Sequence, residues 1–416
     1  MIVANNMRLA KNILALVAVQ FTNYIAPLLV LPYLTRTLSV EQFGVVVLSF
    51  SICSIALIVT DFGFGLSGSY WISLNSQNKK KVAEYIGGVL IFKVLLVIII
   101  LIAISAYLFF WQPVFFHDYK LLAGILFTVL FQSFQIIWFF QGIEKMKNVT
   151  MIMVSSKIVY VISIMCLVNT NNESGVVLIC LAGSALISAI LSIIRVYKES
   201  YAISIPNVLF FKEIVSASLS FFISRAAVGI YTSASAFIVG TFSGLQQAAL
   251  YSSAEKLYQA GQSASSPISQ ALFPYLTRSK DSKMLYKFII VLLPLLILMV
   301  GVCEIYAQEI LRIFYGEKYI DAVPVLRVFL ITSVFTFVSV NIGYPAFAIY
   351  DKLKLVNLSV YIAAVMHFFG LIFLYLTDNI HALSVAICVC IVECMVLIMR
   401  IVMFTYIRNK NAAIKA

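Results

Sequence analysis

Long apolar runs separated by short polar breaks recur along the whole chain, and their length sets the first inference. A helix of about 20 residues, rising about 1.5 Å per residue, crosses the roughly 30 Å hydrocarbon core of a bilayer. Twelve such segments are predicted. They fall roughly at 13–35, 43–65, 82–110, 121–140, 149–169 and 176–197, then at 214–241, 247–275, 285–307, 322–347, 354–376 and 382–405. The short alternating strands of a membrane barrel are absent from the pattern, so each backbone is expected to satisfy its own hydrogen bonds as a helix. The first segment is too long for a removable signal peptide and lacks a small-residue cleavage site, so it is expected to persist.

Halving the chain reveals a faint repeat. TLSVEQFG at 37–44 meets TFSGLQQA at 241–248, and EKMK at 144–147 meets DKLK at 351–354. Each pair falls in the same place within its half, the first loop in one case and the fourth in the other. Six spans per half is an even number, so both halves cross in the same sense, related by an axis along the membrane normal. The expected fold is therefore an all-α membrane protein with about 12 transmembrane helices. They form two pseudo-symmetric six-helix lobes, 1–205 and 206–416, around a central cationic cavity.

Composition agrees with this pattern and removes whole classes of function. The 416 residues are 62% hydrophobic and only 11% charged, and the mean hydropathy is +1.02, outside the soluble globular range. The net charge of +12 needs no nucleic-acid partner, because most of the lysines and arginines collect in alternate loops and at both ends. The positive-inside rule then puts both termini of a multi-pass protein in the cytoplasm. The seven cysteines lie in apolar segments and read as packing residues. Cys388, Cys390 and Cys394 have no histidine or carboxylate cluster to complete a zinc site. GFGLSG at 63–68 lacks the βαβ unit that a dinucleotide fingerprint requires, and no Walker lysine is present. No cofactor and no metal are expected.

Charges inside the apolar segments carry the candidate chemistry. A lysine or arginine at the bilayer centre costs about 2.5–3.5 kcal/mol on insertion scales, so Lys93, Lys157, Arg225 and Lys256 each need a partner, water or a ligand. Polar neighbours recur at helical spacing beside them. Glu255, Gln259, Gln262, Ser266 and Ser269 trace one stripe, Ser218, Arg225 and Thr232 another, and Gln20, Asn23 and Tyr24 cluster near Pro27. Such stripes line a hydrated space or a protein interface. Ion pairs with Asp61, Glu255 and Glu393 remain an alternative for each cation. The excess of cations over acids at mid-depth favours a large polar anion as ligand, and forked guanidinium donors match phosphate oxygens.

Three stretches, APLLVLPYLTRTLSVEQFG (26–44), TDFGFGLS (60–67) and WFFQGIEKMK (138–147), resemble the polysaccharide-export flippases of the O-antigen transporter type. These belong to the superfamily that also holds multidrug exporters and the lipid II flippase. The resemblance implies a flippase, not an enzyme. It would carry undecaprenyl-diphosphate-linked oligosaccharide repeat units from the cytoplasmic to the periplasmic leaflet by ion-coupled alternating access. Its partners would be that lipid-linked substrate, membrane lipid, and the polymerase and chain-length proteins of the same pathway. By motif, the resemblance marks Pro32, Arg36, Gly44, Asp61, Gly63, Gln141, Gly142, Glu144 and Lys145. Arg36 joins the candidate substrate contacts, Asp61 and Glu393 are candidates for ion coupling, and Glu144 and Lys145 for a gating latch. Relatives of this type often carry an arginine a few residues after the TDFGF-like segment, where this chain has Tyr70. Two rivals remain, a proton- or sodium-coupled multidrug exporter and a membrane polysaccharide polymerase or ligase. The enzyme would need a large external loop, whereas the breaks near 112–120 and 308–321 are short.

Overall fold

A computed structural model describes residues 29–280 and 282–415. The helices run in the order α1 (29–37), α2 (Val40–Asp61), α3 (Phe64–Asn75), α4 (Lys79–Trp111), α5 (Pro113–His117), α6 (Tyr119–Ser133), α7 (Ile137–Gly142), α8 (Met146–Leu167) and α9 (Ser174–Lys198). They continue as α10 (Val208–Phe242), α11 (Leu245–Ser279), α12 (Ser282–Ile305), α13 (Ala307–Tyr315), a 3₁₀ turn at Glu317–Ala322, α14 (Val323–Ile342), α15 (Tyr344–Ala348), α16 (Leu353–Leu376) and α17 (Ala382–Lys415). Among the described residues there is no strand.

Nine helical segments among the described residues are long and apolar enough to cross a membrane, and they match the second to sixth and ninth to twelfth expected spans. α10 and α11, each 35 residues long, occupy the seventh and eighth positions. Two compact units emerge, Met1–Gly229 and Ile230–Ala416. The border between them lies inside α10, whereas the expected lobe boundary at 205/206 falls in the extended connection before that helix.

Local chemistry sets the helix starts. The Ser39 hydroxyl accepts from the Gln42 amide at 3.2 Å, with Glu41 in the first turn of α2, so a side-chain cap and a favourable dipole coincide. Asn78 and Asp118 cap α4 and α6 in the same way. α1 and the start of α2 are also stitched to the connection between α8 and α9. Tyr33 donates its hydroxyl to the Val168 carbonyl at 2.7 Å, the Ser39 amide donates to the Asn171 carbonyl, and the Ser174 hydroxyl donates to the Gln42 side chain. Within that connection Glu173 accepts from the amides of Asn169 and Thr170, and those bonds hold its carboxyl below the ordinary range.

Packing inside the first unit relies on aromatic rings and small residues. Phe64, Tyr85, Trp138, Phe139 and Phe140 are buried together, and Trp71 stacks on Tyr85 at 4.4 Å. α6 and α9 approach so closely that a Cβ at Gly124 would come within 2.4 Å of the Leu178 Cβ. Close approach through small residues is how membrane helices gain van der Waals contact when no water drives them together. In the second unit, Leu276, Phe347, Val356 and Phe404 form a separate buried cluster.

Two expected continuous spans are interrupted. The 121–140 segment breaks at 134–136 between α6 and α7, and the 322–347 segment breaks at Gly343 between α14 and α15. The pieces after the breaks are equivalent at an offset of 207 residues. Glu144 and Asp351 both adopt left-handed backbone, with φ of 57° and 55°. The amide of Lys145 donates to Phe140 at 2.8 Å and that of Lys352 to Phe347 at 3.1 Å. Both turns close with the six-to-one bond of a Schellman motif, and each leads directly into the next helix, α8 or α16. The EKMK and DKLK similarity is therefore a shared backbone structure.

Candidate functional site

The TDFGFG stretch makes the turn between α2 and α3. Phe62 and Gly63 have successive positive φ values of 47° and 78°, and a Cβ at Gly63 would lie 2.6 Å from the backbone nitrogen of Phe222. Glycine is required there both for its conformation and for the approach of α10. The Phe62 ring stacks on Phe222 at 4.8 Å and meets Phe92 edge-on.

WFFQG packs against the same region. A Cβ at Gly68 would meet the Trp138 ring at 2.7 Å, and one at Gly142 would meet Ile72 at 2.8 Å. The Ser69 hydroxyl lies 3.0 Å from the Trp138 carbonyl and 3.3 Å from the Gln141 side chain. Two of the three stretches that carried the resemblance are thus one packed assembly of α3 and α7, in which Gly63, Gln141 and Gly142 have structural partners.

Asp61 closes α2 at this turn. Its carboxylate accepts from the Gly65 amide at 3.3 Å and lies 3.9 Å from Lys93 Nζ. Lys93, near the centre of α4, is only 3% exposed and donates to the Ser133 carbonyl at 2.9 Å. The Ser133 hydroxyl in turn reaches Thr60 at 2.8 Å. Of the open readings for Lys93, the geometry matches an ion pair with Asp61, reinforced by the carbonyl at the end of α6.

The other cations differ. Lys256 is engaged within its own helix, donating to the Gln259 side chain at 2.9 Å. Lys157, at the centre of the 22-residue α8, is half-buried and makes no hydrogen bond or ion pair among the described residues. Arg225 lies at the midpoint of the 35-residue α10, is exposed, and likewise has no such partner among the described residues. Lys93, Lys157 and Arg225 all belong to the first unit, while Lys256, Glu255 and Glu393 belong to the second. Glu255, Gln262 and Glu393 are half-buried and Arg36 is exposed. Gln20 and Asn23 lie outside the described residues.

The candidate latch has partners that the sequence did not indicate. Lys145 pairs with Glu199 at the end of α9, and Asn148 donates to the same carboxylate at 2.9 Å. Partial burial acts to raise the Glu199 carboxyl. The bonds from Lys145 and Asn148, with the charges of Lys145 and Arg195, outweigh it and hold the group below its ordinary range. In the second unit Lys280 bonds both carboxylate oxygens of Asp351 at 2.9 Å and the Ala348 carbonyl at 2.9 Å. Two further buried polar groups lie apart from the candidate site residues: Arg400 bonds Ser339 and Ser359, and Ser235 lies 3.0 Å from His367 Nε2.

A carboxylate with a lowered folded pKa binds its proton less readily folded than unfolded, so its stabilisation is complete above the unfolded pKa and is lost as pH falls through the folded value. The tie between Lys145, Asn148 and Glu199 is therefore expected to hold unchanged from pH 7 to 5. Glu199→Gln should speed amide exchange across 144–148 at pH 7. Unaltered exchange in that variant would show that the tie does not hold the turn.

Comparison with known proteins places these observations in a family. The chain is 27% identical over 347 residues, covering 78% of it and 80% of its relative, to the protein named "Putative O-antigen transporter" of Escherichia coli (strain K12). It is 31% identical over 274 residues, 64% of this chain and 67% of the relative, to the protein of the same name from Shigella dysenteriae. Among solved structures, the lipid II flippase MurJ in an inward closed conformation superposes with a TM-score of 0.72 at 14% identity, covering 94% of this chain and 87% of that one. An inward-facing multidrug resistance MATE family transporter of the MOP superfamily gives 0.69 at 16% identity, covering 94% and 95%. The chain thus shares its fold with these two solved structures. Residues 9–280, more than half of the chain and spanning all three of the stretches singled out in the sequence, match the family described as "Polysaccharide biosynthesis protein", and the chain belongs to that family.

Proposed function

We propose that the protein is a flippase for lipid-linked oligosaccharide, moving undecaprenyl-diphosphate-linked repeat units of O-antigen type from the cytoplasmic to the periplasmic leaflet of a bacterial inner membrane, with both termini cytoplasmic. The names of the relatives support a transporter of this class, and the basic loops support the orientation. The observation that carries the substrate is Arg225. An exposed guanidinium at the middle of a long apolar helix, without a protein partner among the described residues, is suited to an anionic group that must cross hydrocarbon. Two forked donors facing two phosphate oxygens would replace water at the headgroup.

Lys157 is the second headgroup contact in this reading. Lys256, Glu255, Gln259, Gln262 and Arg36 supply polar contacts along the route, and Asp61 and Glu393 are the carboxylates offered for coupling to a proton or cation. Alternating access, with the headgroup site opening to each leaflet in turn, would complete the cycle.

The experiment is reconstitution of the full chain into vesicles carrying undecaprenyl-diphosphate-linked oligosaccharide in the inner leaflet, read by lectin capture from outside. Protein-dependent exposure of the sugar is the expected result. Efflux of a lipophilic cation such as ethidium, with no sugar exposed, would transfer the function to a multidrug exporter.

A further inference from the structure

The two broken spans share more than their place in the repeat. Helix ends leave their last four carbonyls without intrahelical donors, and a break in mid-span leaves them where water is scarce. Ser133 is the last residue of α6, and its carbonyl receives Lys93 Nζ at 2.9 Å. Ser339 lies in the last turn of α14. The Gly343 amide turns back to Val340, and the Ser339 carbonyl instead receives Arg400 Nη1 at 2.8 Å. Arg400 also donates through Nη1 to the Ser339 hydroxyl at 3.0 Å and through Nε to Ser359 at 2.9 Å, joining α14, α16 and α17. Lys93 and Arg400 are 3% and 8% exposed.

The two carbonyls correspond at an offset of 206 residues, one from the offset that matches the turns beyond them. The two cations do not correspond at all, since Lys93 comes from α4 and Arg400 from α17. Different helices thus deliver a buried positive charge to the same point of each repeat. That point is the negative end of the helix dipole, where a cation is most favourable.

We propose that Lys93 and Arg400 are equivalent positioning residues, one in each repeat, which fix the short helices α7 and α15 and their following turns by capping the carbonyls released at the two helix breaks. Lys93 then serves the protein's own backbone, and the headgroup is left to Arg225 and Lys157. Gly343 packs against the device: a Cβ there would sit 3.0 Å from the Val340 carbonyl oxygen, 3.1 Å from Arg400 Nη1 and 3.2 Å from the Ser339 carbonyl oxygen, crowding the bond from one side. The inference concerns how each unit holds its own turn and stands independently of what is transported.

The test is hydrogen exchange on the purified full chain in detergent. Loss of one charge-assisted bond is expected to speed local exchange about tenfold or more. Lys93→Met should do so across 137–147 and leave 344–354 near wild type, and Arg400→Met should do the converse. Lys93→Arg and Arg400→Lys should restore most of the protection. Gly343→Ala, which removes no charge but crowds the bond, should speed exchange across 344–354 in the same direction and to a smaller extent, and it carries the test for the second repeat where Arg400→Met fails to accumulate. Unchanged exchange in the matching turn, equal acceleration of both turns, or loss of accumulation that the conservative variants do not rescue would each overturn the proposal. Vesicle transport need not be measured, so failure here is separable from failure of the flippase reading.

Discussion

Arg225→Ala is expected to accumulate at wild-type levels and yet to lose surface polymer almost completely in a strain lacking the chromosomal copy, while Arg225→Lys keeps part of it. No hydrogen bond or ion pair among the described residues depends on this guanidinium. Its removal also relieves an insertion cost of about 2.5–3.5 kcal/mol. Toward a bound ligand, truncating one member of a desolvated charge pair costs about 2–5 kcal/mol. At about 1.4 kcal/mol per decade, that is roughly a 30- to 4,000-fold loss of rate. Lysine keeps the charge but not the fork, so its loss should be the smaller. Full display from the alanine variant would remove Arg225 from the transport route, and poor accumulation would give it a structural role.

The largest effect on stability is expected at Gly87. A Cβ there would lie 1.9 Å from the Ser204 carbonyl oxygen and 2.8 Å from its carbon. Both are backbone atoms. The same connection is anchored by the Ser204 amide on the Ala83 carbonyl at 3.2 Å and by Tyr201 on the Ser76 carbonyl at 3.2 Å. It cannot move aside without breaking those bonds, so Gly87→Ala should cost about 3 kcal/mol, at the upper end of overpacking effects. It should lower the melting temperature in detergent by several degrees. Gly88→Ala meets the flexible end of Ile214 at 2.8 Å and should cost less. Gly183→Ala meets nothing within 4 Å and should gain about 0.5–1 kcal/mol from helix propensity. A Gly87→Ala protein as stable as wild type would mean that α4 and the 201–207 connection do not pack as described.

Much of this architecture is legible in the sequence because hydrophobic length is a direct physical requirement of the bilayer. The membrane class, the positions of nine of the spans and the similarity of EKMK to DKLK follow from pattern alone. What the pattern hides is local. The break at 134–136 consists of Phe, Gln and Ile, with no glycine or proline to mark it, and a window long enough to detect a span averages across it. The second break does carry a signal in Gly343 and Pro345, which GYP spells out. Lys93 and Arg400 are visible as charges, but their acceptors lie 40 and 61 residues away. They are backbone carbonyls that no residue type announces. Glu199 is similar: only the fold reveals that a carboxylate at the end of α9 meets the GIEKMK turn.

The stitch that ties α1 and the start of α2 to the 168–174 connection bears on how topology can be probed. Tyr33 and Val168 are 135 positions apart, and Gln42 and Ser174 are 132 apart, so that connection holds two distant parts of the chain together. An epitope or reporter spliced in after Val168 would part them. Its signal would then describe a damaged molecule rather than the side of the bilayer on which that loop resides.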